Sequence, residues 1–258
     1  MRDKTRYGDL LRYAYNQGLT GINQWKPVFN TQKQNSHVYW SLEHKGRQWI
    51  EDKADIMNEL IKLRGYQRYL EIGGQPSAGK TSTYHKVGCK YKDSVDSALI
   101  EESSLKLEDN CRHFMMTSDE YFETVQNEHK FDIVFIDAWH EHNQVFRDIS
   151  NSLELLSDNG IIVLHDMVPL TRDLEKDFTR TGTCWRAFAD LRKRKDLKMD
   201  VLVPPWGTED SLGLIQFGNQ TAFEKDIEYS YEFLLENVEE LMSLIDLDVF
   251  YEEYILKN

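Results

Sequence analysis

The sequence has little that would tie it to an oxidising compartment, a bilayer or a nucleic acid. Its 258 residues include only three cysteines, Cys89, Cys111 and Cys184, an odd number without metal-ligand spacing. Small buried thiols in a reducing setting are expected, not a disulfide framework or a thiolate metal site. No apolar run approaches the roughly 20 residues of a membrane helix. The start, Met1-Arg2-Asp3-Lys4-Thr5, lacks the apolar stretch of a secretory signal. A cytoplasmic chain with no membrane partner is the expectation. Positive charge is short too: 31 Lys and Arg stand against 44 Asp and Glu, a formal net charge of −13. A nucleic-acid groove needs a basic footprint to neutralise phosphates, so no nucleic-acid partner is expected. The single basic cluster, Arg192-Lys193-Arg194-Lys195, reads as the solvated end of a helix.

What is present is a core's worth of apolar residues, 40% of the chain, in an alternating pattern. Residues 1–46 are polar and aromatic with poor periodicity, which suits a lid or partner-binding arm of short helices and loops. A helix is expected over 47–65, stopped by Gly65. Strands follow at 68–72, about 91–96, about 112–116, 131–136 and 160–165. A helix over 141–156 carries Val145, Ile149, Leu153 and Leu156, and Asp158-Asn159-Gly160 reads as a turn. Another helix spans 183–192, and strands at 201–203 and 212–217 come late. Such alternation predicts an α/β fold, a doubly wound and mostly parallel sheet over 47–220. An acidic, helical extension covers 221–258. Its apolar face is expected to dock on its own domain or to make a contact between copies in a homo-oligomer.

Three strand patterns end in charge. Glu71-Ile72-Gly73-Gly74 closes the first, Asp137-Ala138-Trp139-His140 the fourth and His165-Asp166 the fifth. Open α/β sheets bind ligands outside the carboxyl ends of their strands, and buried charge there needs a compensating group. Gly74 to Thr81 also satisfies the phosphate-loop pattern G-x-x-x-x-G-K-T, which leaves a nucleotide hydrolase or kinase open. Glu71 argues against it, because a buried acid beside polyphosphate suffers both desolvation and like-charge repulsion. Beside a cationic ligand the same acid is favourable. Asp96, at the second strand's end, suits ribose hydroxyls. His140 and His165 are candidate general bases, since an imidazole titrates near working pH. Asp137, Asp166 and His165 form a candidate divalent site, with magnesium or a relative expected from the oxygen ligands.

The stretch from Tyr69 to about Phe217 resembles class I S-adenosylmethionine-dependent methyltransferases, nearest the branch of macrolide-sugar O-methyltransferases and cephalosporin-biosynthesis relatives. The matching segments are Tyr69 to Gly73, Met116 to Phe122, Phe131 to His140, Arg147 to Ile149, Gly160 to Pro169, and Cys184 to Phe188. The resemblance implies a Rossmann-like methyltransferase fold and S-adenosyl-L-methionine as methyl donor. Glu71, Gly73 and Gly74 would cradle its methionine end, Asp96 its ribose, and Ser118 and Asp119 its adenine. Asp137 would lie beside the transferred methyl, with His140 at the base position and Asp166 at a metal-ligand position. A hydroxyl of a sugar, glycan or other small molecule is the implied acceptor. The loop Gln75 to Gly79 is longer than the family pattern, and His165 stands where metal-dependent members carry a carboxylate. A member that keeps the fold without the reaction is the remaining alternative.

Overall fold

The computed structural model describes residues 50, 52–74, 82–99, 107–125, 129–204 and 211–256. The expected arm over 1–46 and most of the phosphate-loop-like segment, 75–81, lie outside the described residues. The elements in chain order are α1 (Lys53–Arg64), β1 (Arg68–Ile72), α2 (Thr83–Lys86), β2 (Tyr91–Val95) and β3 (Cys111–Phe114). There follow α3 (Ser118–Val125), β4 (Phe131–Ile136), α4 (His142–Leu155), β5 (Leu156–Leu164), α5 (Arg172–Lys176) and α6 (Cys184–Leu191). The chain closes with β6 (Leu197–Leu202), β7 (Leu212–Phe217), α7 (Tyr231–Met242), β8 (Leu244–Ile245), α8 (Leu247–Phe250) and a π-helical turn, Tyr251–Ile255.

Local chemistry sets the ends of α1. Asp52 accepts from the backbone N–H groups of Ala54 and Asp55, and Asp55 accepts from that of Asp52, a reciprocal capping box. Gly65, at φ 70°, ends the helix in the left-handed conformation. Ala54, Ile56, Met57, Leu60 and Ile61 are buried against the sheet.

The strands form one eight-stranded sheet in the order β3-β2-β1-β4-β5-β7-β6-β8. Pairings from β3 to β5 are parallel, and β7 runs antiparallel to both its neighbours. Alternation along each central strand sends side chains to two separate cores. Leu70, Ile72, Val134, Ile136, Ile162 and Leu164 pack beneath α3, α4, α6 and α7. Tyr69, Ile133, Phe135, Ile161 and Val163 pack on the opposite face, against α1 and the C-terminal turns. The fold is the expected doubly wound, mostly parallel sheet with helices on both faces.

Several local expectations change. The acidic tail is not one helix: it breaks at Ser243 (φ 47°), lays β8 parallel to β6, and then turns twice more. Leu234, Val238 and Leu241 are buried in this chain's own core. Residues 158–160 continue β5 where a turn was expected, and the register shifts between Phe131 and Ile133 opposite them. Arg192 is buried rather than solvated, because its guanidinium caps α7 by donating to the Leu241 and Glu240 carbonyls. Cys89 and Cys184 are buried thiols and Cys111 is half-buried. Among the described residues no helix is long and apolar enough to cross a membrane.

Candidate active site

The parallel register brings four strand ends level. Val95, Ile72, Ile136 and Leu164 are aligned across β2, β1, β4 and β5. One step beyond, the backbone is still stitched together. Gly73 N–H donates to Val95 O (2.8 Å), Asp137 N–H to Ile72 O (2.9 Å) and His165 N–H to Ile136 O (3.0 Å). Gly73 adopts φ 88°, and a Cβ there would lie 2.2 Å from the Asp137 carbonyl oxygen. Only glycine lets the β1 and β4 ends meet this closely. Gly74 packs against Ser94, and its N–H donates to Val95 O at 3.2 Å.

A cleft of about 410 Å³ opens at these ends, lined by Gly73, Asp96, Ser118, Asp119, Asp137 and Trp139 among others. That volume falls in the range of small-ligand sites. Asp96, Ser118 and Asp119 share it with Asp137. Gln144, which the sequence reading passed over, also lines it. Its amide donates to Ser118 Oγ (3.1 Å), Asp119 Oδ1 (3.3 Å) and Asp148 Oδ1 (3.1 Å). Asp148 is fully buried below, and burial pushes its carboxyl up to about 6 against the hydrogen bonds of Ser118 and Gln144.

Glu71 lies behind the cleft on the α1 side, 4% exposed. The Tyr69 hydroxyl donates to its Oε2 at 2.6 Å. Burial nonetheless wins and raises the carboxyl to about 7, with Tyr69 and Lys53 opposing and Asp137 assisting. The folded state binds a proton that the unfolded state has released between about 4.5 and 7. Stability from this group is therefore intact at acid pH and declines as pH rises through that window. Glu71→Gln is expected to stabilise the fold at pH 8 by about 2–3 kcal/mol and to leave it nearly unchanged at pH 4. Thermal melts of both proteins across that range check it; a constant offset at every pH contradicts it.

Asp137 is the hub of the site. Its Oδ1 lies 3.4 Å from His140 Nε2 and 3.3 Å from His165 Nδ1, and its Oδ2 lies 2.6 Å from Lys53 Nζ. Burial would raise this carboxyl, but the His165 charge, hydrogen bonding with both imidazoles and the Lys53 charge hold it well below the usual range. His140 Nδ1 meets the Arg180 carbonyl, and the His140 carbonyl accepts from Thr183 N–H at 2.9 Å. The loop before α6 therefore fixes the ring. With a proton on Nδ1 facing that carbonyl, Nε2 carries the lone pair. Asp166, at φ 56°, places Oδ2 3.2 Å from His165 Nδ1 and 3.6 Å from His140 Nδ1. His142 pairs with Asp190 at 2.8 Å and meets the Tyr229 ring edge-on.

Trp185 is fully buried, and its indole N–H donates to Glu175 Oε1. Asp137, His140 and Asp166 offer ligand atoms within 4.8 Å of one another, and His165 Nδ1 lies as near, 3.3 Å from Asp137 Oδ1 and 3.2 Å from Asp166 Oδ2. Magnesium does not fit this set. It demands near-octahedral oxygen ligation, whereas one of the three ligands is an imidazole and Asp137 already holds an ammonium at 2.6 Å. Lys53 was legible only as an anomaly, a cation in the first turn of a helix where the dipole favours acids.

A level row of acidic and imidazole strand ends around a cleft, on this strand order, defines a Rossmann-like methyltransferase fold. Residues 75–167 match the family model described as a methyltransferase domain. No curated protein matches the chain in sequence. Among solved structures it is similar to a Klebsiella pneumoniae protein described as a candidate O-methyltransferase, at 15% identity and TM-score 0.52, covering 83% of this chain and 98% of that one. It is also similar to the S-adenosylhomocysteine-bound methyltransferase PaMTH1 of Podospora anserina, at 15% identity and TM-score 0.52, covering 77% of this chain and 97% of that one.

Proposed function

We propose that this chain transfers a methyl group from S-adenosylmethionine to a hydroxyl oxygen, with a sugar or another small hydroxylated molecule as acceptor. The observation that carries the reading is His140. Its ring is buried, Nδ1 is held by the Arg180 carbonyl, and Nε2 lies 3.4 Å from Oδ1 of Asp137, a carboxylate that lines the cleft. A hydroxyl entering there meets a lone pair ready to take its proton. The donor supplies an electrophilic methyl on a sulfonium, and its C–S electron pair stays on sulfur as the new C–O bond forms. Asp137 offers negative charge to the cationic end, and Asp96 offers an acceptor to ribose hydroxyls. Trp139, 53% exposed and packed edge-on to Phe178 at 5.7 Å, gives the acceptor an aromatic shelf suited to a sugar face.

The phosphate-loop reading is not favoured. The buried Glu71 carboxyl sits at the end of the strand that would feed a polyphosphate, and the methyltransferase-domain match runs across residues 75–167. The expected result is a rise in melting temperature with S-adenosylhomocysteine and none with ATP-magnesium. Transfer of labelled methyl to a panel of glycans and hydroxylated metabolites then identifies the acceptor. Stabilisation by ATP alone overturns the reading.

A further inference from the structure

Neither the strand pattern nor the resemblance gives Lys53 a role. It opens α1, its Nζ lies 2.6 Å from Asp137 Oδ2, and its side chain is only 22% exposed. The ammonium also lies 5.3 Å from the Phe135 ring centroid, on the aromatic face one pleat before Asp137. Asp137, Phe135 and His165 all project toward the α1 layer by strand alternation, so the lysine meets them head-on. The far side of the same carboxylate faces His140 and His165. Asp137 is thus already satisfied by this chain's own cations. A divalent ion held by Asp137, His140 and Asp166 would have to share Asp137 with an ammonium in direct contact.

We propose that Lys53 is the resident cation of the site: its ammonium holds Asp137 in the way a divalent ion otherwise would, so that the site works without one. This rests on the methyl-transfer reading above. Lys53 is a positioning residue in this scheme. It fixes Oδ2 of Asp137 and leaves Oδ1 to order the imidazoles, and it touches neither the reacting methyl nor the acceptor oxygen.

The test is a titration of the full chain with manganese alone, followed by calorimetry, for wild type, Lys53→Met, Lys53→Gln and Lys53→Arg. Wild type and Lys53→Arg are expected to bind no metal up to roughly 1 mM. Lys53→Met and Lys53→Gln are expected to bind at least about 100-fold more tightly, because a contacting positive charge has been removed, and Asp137→Asn added to either abolishes the gain. Methyl transfer by wild type is expected to survive chelation by EDTA. Tight manganese binding by wild type overturns the proposal. So does the absence of any gain in both neutral variants, or an equal gain in Lys53→Arg. The metal titration needs neither donor nor acceptor. Failure of S-adenosylhomocysteine to bind wild type would therefore remove the methyl-transfer reading while leaving the result at Lys53 separately readable.

Discussion

His140→Gln is expected to lower methyl-transfer turnover by roughly 100- to 10,000-fold, with S-adenosylhomocysteine affinity nearly unchanged. The split follows from geometry. Nε2 faces Asp137, and His140 is not among the residues lining the cleft. Glutamine keeps a polar group to meet the Arg180 carbonyl, so the loop that orders the ring need not collapse. The pH profile provides a second signature. Burial lowers the His140 pKa, but hydrogen bonding to Asp137 and to the Arg180 carbonyl, with the charges of Asp137 and Asp166, outweighs burial and raises it above 6.5. Wild-type turnover should therefore climb with pH through a midpoint above the ordinary histidine value, and the residual rate of the variant should lack that limb. Initial rates with labelled donor and calorimetry on the same samples measure both. Wild-type turnover in the variant takes the base role away from His140.

Gly73→Ala is expected to be the most damaging single substitution at the sheet's carboxyl edge. The added carbon would lie 2.2 Å from Asp137 O, 2.6 Å from Asp137 C and 2.7 Å from Ala138 Cα. All three are backbone atoms, so no flexible side chain can move aside. The positive φ alone costs about 1–3 kcal/mol, and the overlap adds roughly 1–3 kcal/mol more. Pushing β1 from β4 by even about 1 Å should weaken transfer on the order of 100-fold. Gly65 provides the control. It has φ 70° but nothing within 4 Å of a built Cβ, so Gly65→Ala bears only the conformational cost. Chemical denaturation of both variants checks the difference. Equal losses would mean that crowding at Gly73 contributes nothing.

The fold was readable where a strand is buried on both faces and its residues say so without help. β1, β4 and β7 begin and end where their apolar runs do, and Asp96, Ser118, Asp119 and Asp137 meet in one cleft because parallel pairing aligns strand ends. What was missed depends on distant partners. β6 starts at Leu197, before the run at 201–203, because Lys198 and Asp200 interrupt it. Their polar groups are met by the tail: Tyr254 OH donates to Asp200 Oδ2 (2.6 Å), Ser243 OH to Asp200 Oδ1 (2.6 Å), and Lys198 to the Glu253 carbonyl (3.2 Å). β8 is two residues long and exists only because β6 offers an edge. Arg192 reads as a surface cation until the end of α7 arrives to be capped. Lys53 and Asp137 are 84 positions apart, and no local pattern announces their contact.

The pleat of β4 carries one more consequence. Ile133, Phe135 and Asp137 share a side of the sheet, while Val134 and Ile136 share the other. Removing one residue within β4 would swing the carboxylate from the Lys53 face into the oily layer under α4. Lineages derived from this chain can therefore lengthen or shorten the segments between strands and so redraw the acceptor, while insertions and deletions inside β1, β4 and β5 should be purged.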